Sequence, residues 1–176
     1  MNLVMVGFMA SGKTTVGKRL SRRLGYSFLD TDQFIEAEVG CSVPEIFSIQ
    51  GEKYFRELES RVADHLHRLV NTVIATGGGL LMTPGNLERL RRAGPLIFLK
   101  VHREDLLKRL ERDSRRPKVQ GGSLEETVTR LMAERLPVYE QSDLIVETKG
   151  KSINRVCGEI LRNLANLSRQ PETEKD

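Results

Sequence analysis

The stretch "GFMASGKTTVGKRL", residues 7–20, decides the reading of this chain. It follows the apolar run "LVMV" (3–6) and opens a segment of helical period, in which Val16, Leu20 and Leu24 lie four apart on one face. A strand, a turn with the spacing Gly7-x-x-x-x-Gly12-Lys13-Thr14 and a helix make a cradle for phosphate. Glycines allow a tight turn whose successive N–H groups point inward, and the helix N-terminus adds partial positive charge. On this reading the backbone of Gly7, Ala10, Ser11 and Gly12 faces phosphate oxygens. Lys13 reaches the outer phosphates, the Thr14 hydroxyl ligates Mg²⁺, and Thr15 adds a second hydroxyl. A glycine turn that binds nothing is the plain alternative, and spacing and context together stand against it.

Working outward, 176 residues suffice for one domain with a real core. Hydrophobic residues at 39% and charged ones at 30% are ordinary for a globular chain. No run approaches the roughly 18–20 apolar residues of a bilayer span. "MNLVMVGF" has neither the basic start nor the cleavage site of a signal peptide, so a cytoplasmic protein with no membrane partner is expected. Cys41 and Cys157 lie far apart without metal-type spacing and read as two reduced thiols. The net charge of +4 invites a nucleic-acid reading, but Lys and Arg are interspersed among 24 acidic residues. Only "SRRPK" (114–118) is densely basic, a pattern that suits small anionic ligands and gives no nucleic-acid motif.

Five short apolar runs alternate with helical patterns: "LVMV" (3–6), "SFL" (27–29), "TVIA" (72–75), "PLIFLKV" (95–101) and "DLIVET" (143–148). Most are continuous rather than alternating, as in parallel strands covered on both faces. Thr83-Pro84 reads as an N-cap with proline at the first helical position. Ser123 with Glu126, and Ser42 with Glu45, have capping-box spacing. Ile153, Val156, Ile160, Leu164 and Leu167 mark the buried stripe of a last helix. The expected fold is α/β, a single domain over 1–168 with a polar tail, "RQPETEKD", at 169–176. One segment, "DSRRPKVQGGS" (113–123), fits neither period and reads as a mobile loop.

Candidates for the acceptor of the phosphate cluster after the later strands. "FLDTD" places Asp30 and Asp32 at a strand's C-terminal end, beside the cradle. One carboxylate could hold Mg²⁺ through water and the other accept a hydrogen bond from an acceptor hydroxyl. A loop aspartate followed by a helix cap at Asp32 is the alternative. Arg56 has Glu52 four residues before it and Glu59 three after, the spacing of a surface ion pair. Gly77, Gly78 and Gly79 either bare the backbone to a ligand or form a plain turn.

Taken in order, "GFMASGKTTVGKRL", "FLDTD", "GCSVPEIFSIQGEKYFRELE", "ATGGG", "RRP" and "ERLPVYEQSD" resemble the bacterial shikimate kinases, over residues 3 to about 147. The resemblance implies a P-loop NTPase-type fold: a five-stranded parallel sheet with helices on both faces, a substrate-binding helical part over about 32–62 and a lid over about 113–123. It implies ATP-dependent phosphorylation of the 3-hydroxyl of shikimate, giving shikimate 3-phosphate and ADP in aromatic amino acid biosynthesis, with Mg²⁺. Lys13 and Thr14 then hold the phosphates and metal, and Asp30 serves the metal through water. Asp32 contacts the acceptor hydroxyls, while Arg56 and Arg135 grip the carboxylate. Gly77, Gly78 and Gly79 support the acceptor, Arg116 reaches the phosphates from the lid, and Arg109 stacks on adenine. Arginine suits that grip because its planar fork binds a carboxylate bidentately. The family also implies a monomer. "TKGKSINR" (148–155) lacks the proline often found near adenine in these enzymes, so no adenine residue is assigned there.

Two alternatives stay open on residues alone. Gluconate kinase shares the cradle and also takes a polyhydroxy carboxylate. A non-catalytic nucleotide-binding module or guanine switch would differ in class, but no Asn-Lys-x-Asp element follows a later strand, and Lys13, Asp32 and both arginines are retained.

Overall fold

The computed structural model of the chain describes residues 1–112 and 123–167. All five apolar runs are strands: β1 (Leu3–Val6), β2 (Ser27–Asp30), β3 (Thr72–Ala75), β4 (Leu96–Lys100) and β5 (Leu144–Glu147). They form one parallel sheet in the order β2-β3-β1-β4-β5. Seven helices accompany them among the described residues: α1 (Lys13–Leu24), α2 (Thr31–Val39), α3 (Val43–His65), α4 (Asn86–Ala93), α5 (Arg103–Arg112), α6 (Leu124–Tyr139) and α7 (Ile153–Leu167). Three-residue 3₁₀ turns sit at Leu66–Arg68 and Leu80–Met82.

The central strand shows why the runs are continuous. Successive side chains of β1 point to opposite faces, and both faces are covered. Leu3 and Met5 join a buried cluster with Val16 and Leu20 of α1 and Val156 and Ile160 of α7. Val4 and Val6 join another with Leu90 of α4, Val128 of α6 and Phe98. Leu20 is fully buried, so its truncation to alanine would cost about 2–5 kcal/mol through lost transfer energy and the cavity left behind. The outer strands are less covered because each lies at an edge, and Ile145 of β5 is 40% exposed.

Helix ends follow the sequence chemistry in two cases and depart from it in one. Both capping boxes form: Ser42 with Glu45 opens α3, and Ser123 with Glu126 opens α6. The start expected at Thr83-Pro84 is displaced. Gly85 adopts a left-handed conformation (φ 83°) and caps α4, which begins at Asn86. Asn86 is buried there and donates from Nδ2 to the Leu80 carbonyl at 2.8 Å, a contact that selects the later start. The stripe of α7 is buried at Val156, Ile160 and Leu164, but Ile153 and Leu167 at its two ends are exposed.

α3 is not continuous. At Gly51 the backbone turns to φ 82° and ψ 169°, a kink inside the helix. Around it a third cluster forms from Ile35 of α2 and Ile46, Phe55 and Leu58 of α3. These helices rise from the C-terminal end of β2, so the cluster stands beside the strand ends where ligands of open α/β sheets bind.

Candidate functional site

The phosphate loop leaves β1 at Gly7 and enters α1 at Lys13. Gly12, the residue before the helix, has φ 98°, and Ala10 has φ 58°. Left-handed backbone is available to glycine at no steric cost, whereas an alanine there is held by its surroundings. Lys13 is 8% exposed and turns back over its own loop. Its Nζ donates to the carbonyls of Gly7 at 2.8 Å and Phe8 at 2.7 Å. The ammonium is thus held against its own loop rather than extended into solvent.

Asp30 closes the floor of the cradle. Thr14 Oγ1 donates to its Oδ2 at 2.8 Å, while its Oδ1 accepts from the amides of Asp32 and Gln33. The N-cap of α2 is therefore Asp30, and Asp32 lies in the first turn of that helix. A hydroxyl and a carboxylate side by side are hard oxygen donors, the set that Mg²⁺ prefers. With both Asp30 oxygens already engaged, that carboxylate suits a water-mediated role. Among the described residues no group of three or more His, Cys, Asp or Glu side chains is placed to hold a metal ion.

Ala10, Ser11, Gly12, Lys13, Thr14 and Thr15 of the loop and α1 line one cleft of about 1010 Å³. Asp30, Asp32, Arg56, Gly77, Gly78, Gly79, Arg109 and Arg135 line the same cleft. Arg116 lies outside the described residues, as does most of the expected lid. Arg109 comes from α5 and donates from Nη1 to the carbonyls of Ala10 at 3.1 Å and Ser11 at 3.2 Å, at the rim of the loop. Thr148, Lys151 and Ile153, from the segment where no residue was assigned, also line the cleft.

Arg56 is not a surface ion pair. Its guanidinium lies beside the paired rings of Phe47 and Phe55, at 5.9 and 5.7 Å from their centroids. Nη2 bonds Glu52 at 2.8 Å, and Nη1 bonds Glu59 at 2.7 Å. Burial acts to lower the Arg56 pKa, but the bonds and charges of Glu59 and Glu52 outweigh it and hold it above its ordinary value. Glu59 itself is fully buried. Loss of hydration raises its pKa to about 7 and the nearby Asp32 adds to the rise, against the opposing pull of Arg56 and Arg135. The Glu59 Oε1 atom has no hydrogen-bond partner among the described residues. Sequence spacing could not reveal this, because a glutamate three residues after an arginine looks the same whether the helix face is wet or dry.

The glycine run is a surface pressed between these groups. Gly77 abuts the Asp32 and Glu59 carboxylates, and Gly79 abuts the Arg56 guanidinium. A Cβ on Gly78 would sit 3.0 Å from the Met9 amide nitrogen, so a side chain there would crowd the phosphate loop. From α6, Arg135 Nη1 donates to the Gly78 carbonyl at 3.0 Å.

A five-stranded parallel sheet, a lysine-bearing phosphate loop and an adjacent pocket with two arginines define a small-molecule kinase of the P-loop class. Residues 9–165 match the family model described as shikimate kinase. Among curated proteins, the shikimate kinase of Caldanaerobacter subterraneus is 40% identical over 94% of this chain and 97% of its own. Among solved structures, a shikimate kinase from Acinetobacter baumannii in complex with shikimate superposes with a TM-score of 0.90 and 34% identity, covering 96% of this chain and 95% of that one. The shikimate kinase of Aquifex aeolicus gives 0.85 and 36%, over 96% and 99%. The chain belongs to the shikimate kinase family.

Proposed function

We propose that the chain transfers the γ-phosphoryl group of ATP to the 3-hydroxyl of shikimate, releasing ADP and shikimate 3-phosphate in aromatic amino acid biosynthesis. The observation that carries this reading is the placement of two arginines, Arg56 and Arg135, in one cleft with Asp32 and the phosphate loop. The acceptor must be an anion with a hydroxyl, held by its carboxylate at one end and offered to phosphate at the other.

In this reading the loop amides and Lys13 hold the β- and γ-phosphates. Thr14, and Asp30 through water, hold Mg²⁺; when bound, the ion offsets phosphate charge and ties the two outer phosphates together. Arg56 and Arg135 grip the acceptor carboxylate bidentately. Gly77, Gly78 and Gly79 bring the ring close enough for Asp32 to accept a hydrogen bond from the reacting hydroxyl, aiming the oxygen at the γ-phosphorus. Arg109 borders the nucleotide, with Thr148 and Lys151 across the cleft, and Arg116 completes the phosphate contacts. The family resemblance supports a monomer. No helix among the described residues is long and apolar enough to cross a membrane.

The test is ADP release from Mg·ATP with shikimate, gluconate, AMP or no acceptor. Release that requires shikimate is expected. Release with gluconate instead would keep the fold and overturn the acceptor, and equal slow release in all four would leave a nucleotide-binding protein without this activity.

A further inference from the structure

Tyr139, the last residue of α6, is 1% exposed, and its position is set from three sides. Its ring stacks on Phe98, with centroids 5.1 Å apart, and meets the edge of Phe8 at 5.2 Å. Phe8 belongs to the phosphate loop and offers its carbonyl to Lys13. The Tyr139 hydroxyl donates a hydrogen bond to the Gly78 carbonyl, the same oxygen that accepts from Arg135 Nη1. One carbonyl therefore carries two donors, four residues apart on one helix.

Those two donors have different freedom. The Arg135 guanidinium is only partly buried and lies on the cleft. The Tyr139 phenol is walled in by aromatic rings, and desolvation raises its pKa to about 12, so it remains a donor through the working pH range. If Arg135 turns to an acceptor carboxylate, the Gly78 oxygen loses one partner while a bound ring shuts out the water that could replace it. An oxygen left bare in that way would oppose binding.

We infer that Tyr139 is a positioning residue that releases Arg135 for the acceptor: its hydroxyl keeps the Gly78 carbonyl satisfied when the guanidinium leaves it for the carboxylate. This rests on the assignment of Arg135 to the carboxylate of shikimate. Because the same ring abuts Phe8, the hydroxyl also fixes the acceptor's glycine floor relative to the phosphate loop. Tyr139→Phe preserves the ring contacts and removes only the donor. Arg135 then remains the sole donor to Gly78, and acceptor binding must break that bond without replacement.

The experiment measures shikimate dissociation constants, both KM values and Tm for the unaltered enzyme, Y139F, R135A and the double variant. Y139F is expected to weaken shikimate by about tenfold, the scale of one unmet hydrogen bond, with KM for ATP unchanged. In the R135A background, Y139F should weaken shikimate again, because the bound ring then shuts water from a Gly78 oxygen that both side-chain donors have left. Unchanged shikimate affinity in Y139F would overturn the inference, as would equal losses for both substrates or no further loss in the double variant. If R135A itself bound shikimate normally, the assignment of Arg135 would fail instead. Should Y139F not fold, 3-fluorotyrosine in the unaltered sequence reports the same bond by ¹⁹F NMR. Shikimate, but not ATP, should then shift the Tyr139 resonance, and no shift with shikimate would overturn the inference.

Discussion

At the N-terminal ends of the strands, Asn2 is buried and satisfied on both sides of its amide. Nδ2 donates to the carbonyls of Leu69 at 2.7 Å and Ala93 at 3.2 Å, and Oδ1 accepts from the Thr72 amide at 3.1 Å. Asp143 accepts from the Leu96 amide at 2.7 Å in the same layer. At the C-terminal ends the accounting is different. There Ala10 is left-handed, Lys13 bends over its own loop, and Glu59 is buried with one oxygen lacking a hydrogen bond. One end of the sheet spends its polar groups on holding strands together. The other keeps charge and hydrogen-bonding capacity oriented toward ligands, at some cost to stability.

Substitutions can break that comparison. The largest effect is expected at the ligand end: Asp32→Asn should lower kcat by about 10²–10⁴-fold, the range of positioned acid–base groups, while ATP binding, read by calorimetry, persists. Arg56→Ala follows, raising KM for shikimate on the order of 100-fold, because a charge-assisted grip is lost and Glu59 is stripped of its cation. At the opposite end, Asn2→Ala should reverse the pattern. Loss of its three hydrogen bonds should cost about 3 kcal/mol in urea denaturation, with kcat and both KM values unchanged.

The smallest effect sharpens the contrast through pH. Glu59 has a folded pKa of about 7 against an ordinary 4.5. Its contribution to stability is full below 4.5 and is lost as pH rises through about 7. The charged and titratable groups facing it are Arg56, Asp32, Arg135 and Tyr139. Ligand-free protein should lose on the order of 2 kcal/mol between pH 5 and roughly pH 8 from this group. Glu59→Gln, which mimics the protonated side chain, should flatten that slope. An equal slope in the variant would remove Glu59 as its source.

What could be read from the sequence follows from which forces are local. The strands were legible because burial on both faces demands unbroken apolar runs, and the cradle was legible because its geometry needs glycines and lysine at fixed offsets. The capping boxes depend on residues three apart, and both formed. The start of α4 was misread because Thr83-Pro84 satisfies the local rule, while Gly85 and the buried Asn86 answer to a tertiary contact. Asp30 and Asp32 could not be separated by sequence chemistry, since either can cap a helix; in the structure Asp30 takes both the cap amides of α2 and the Thr14 hydroxyl. Glu59 and Tyr139 escaped because their importance lies in burial and in a partner far along the chain. Arg135 entered by resemblance alone, and its bond to Gly78 spans 57 residues.

The kink at Gly51 carries a consequence for how such a kinase can diversify. Ile35, Ile46, Phe55 and Leu58 form a small core of their own, and Val62 packs against both that core and the main one. The segment from Thr31 to Leu58 therefore works as a cassette, joined to the catalytic sheet at the end of β2 and bent at Gly51. Its pocket-facing side chains can drift toward a different acceptor while the strand core and phosphate loop stay under separate selection. Grafting this segment between relatives is the economical route to a new specificity.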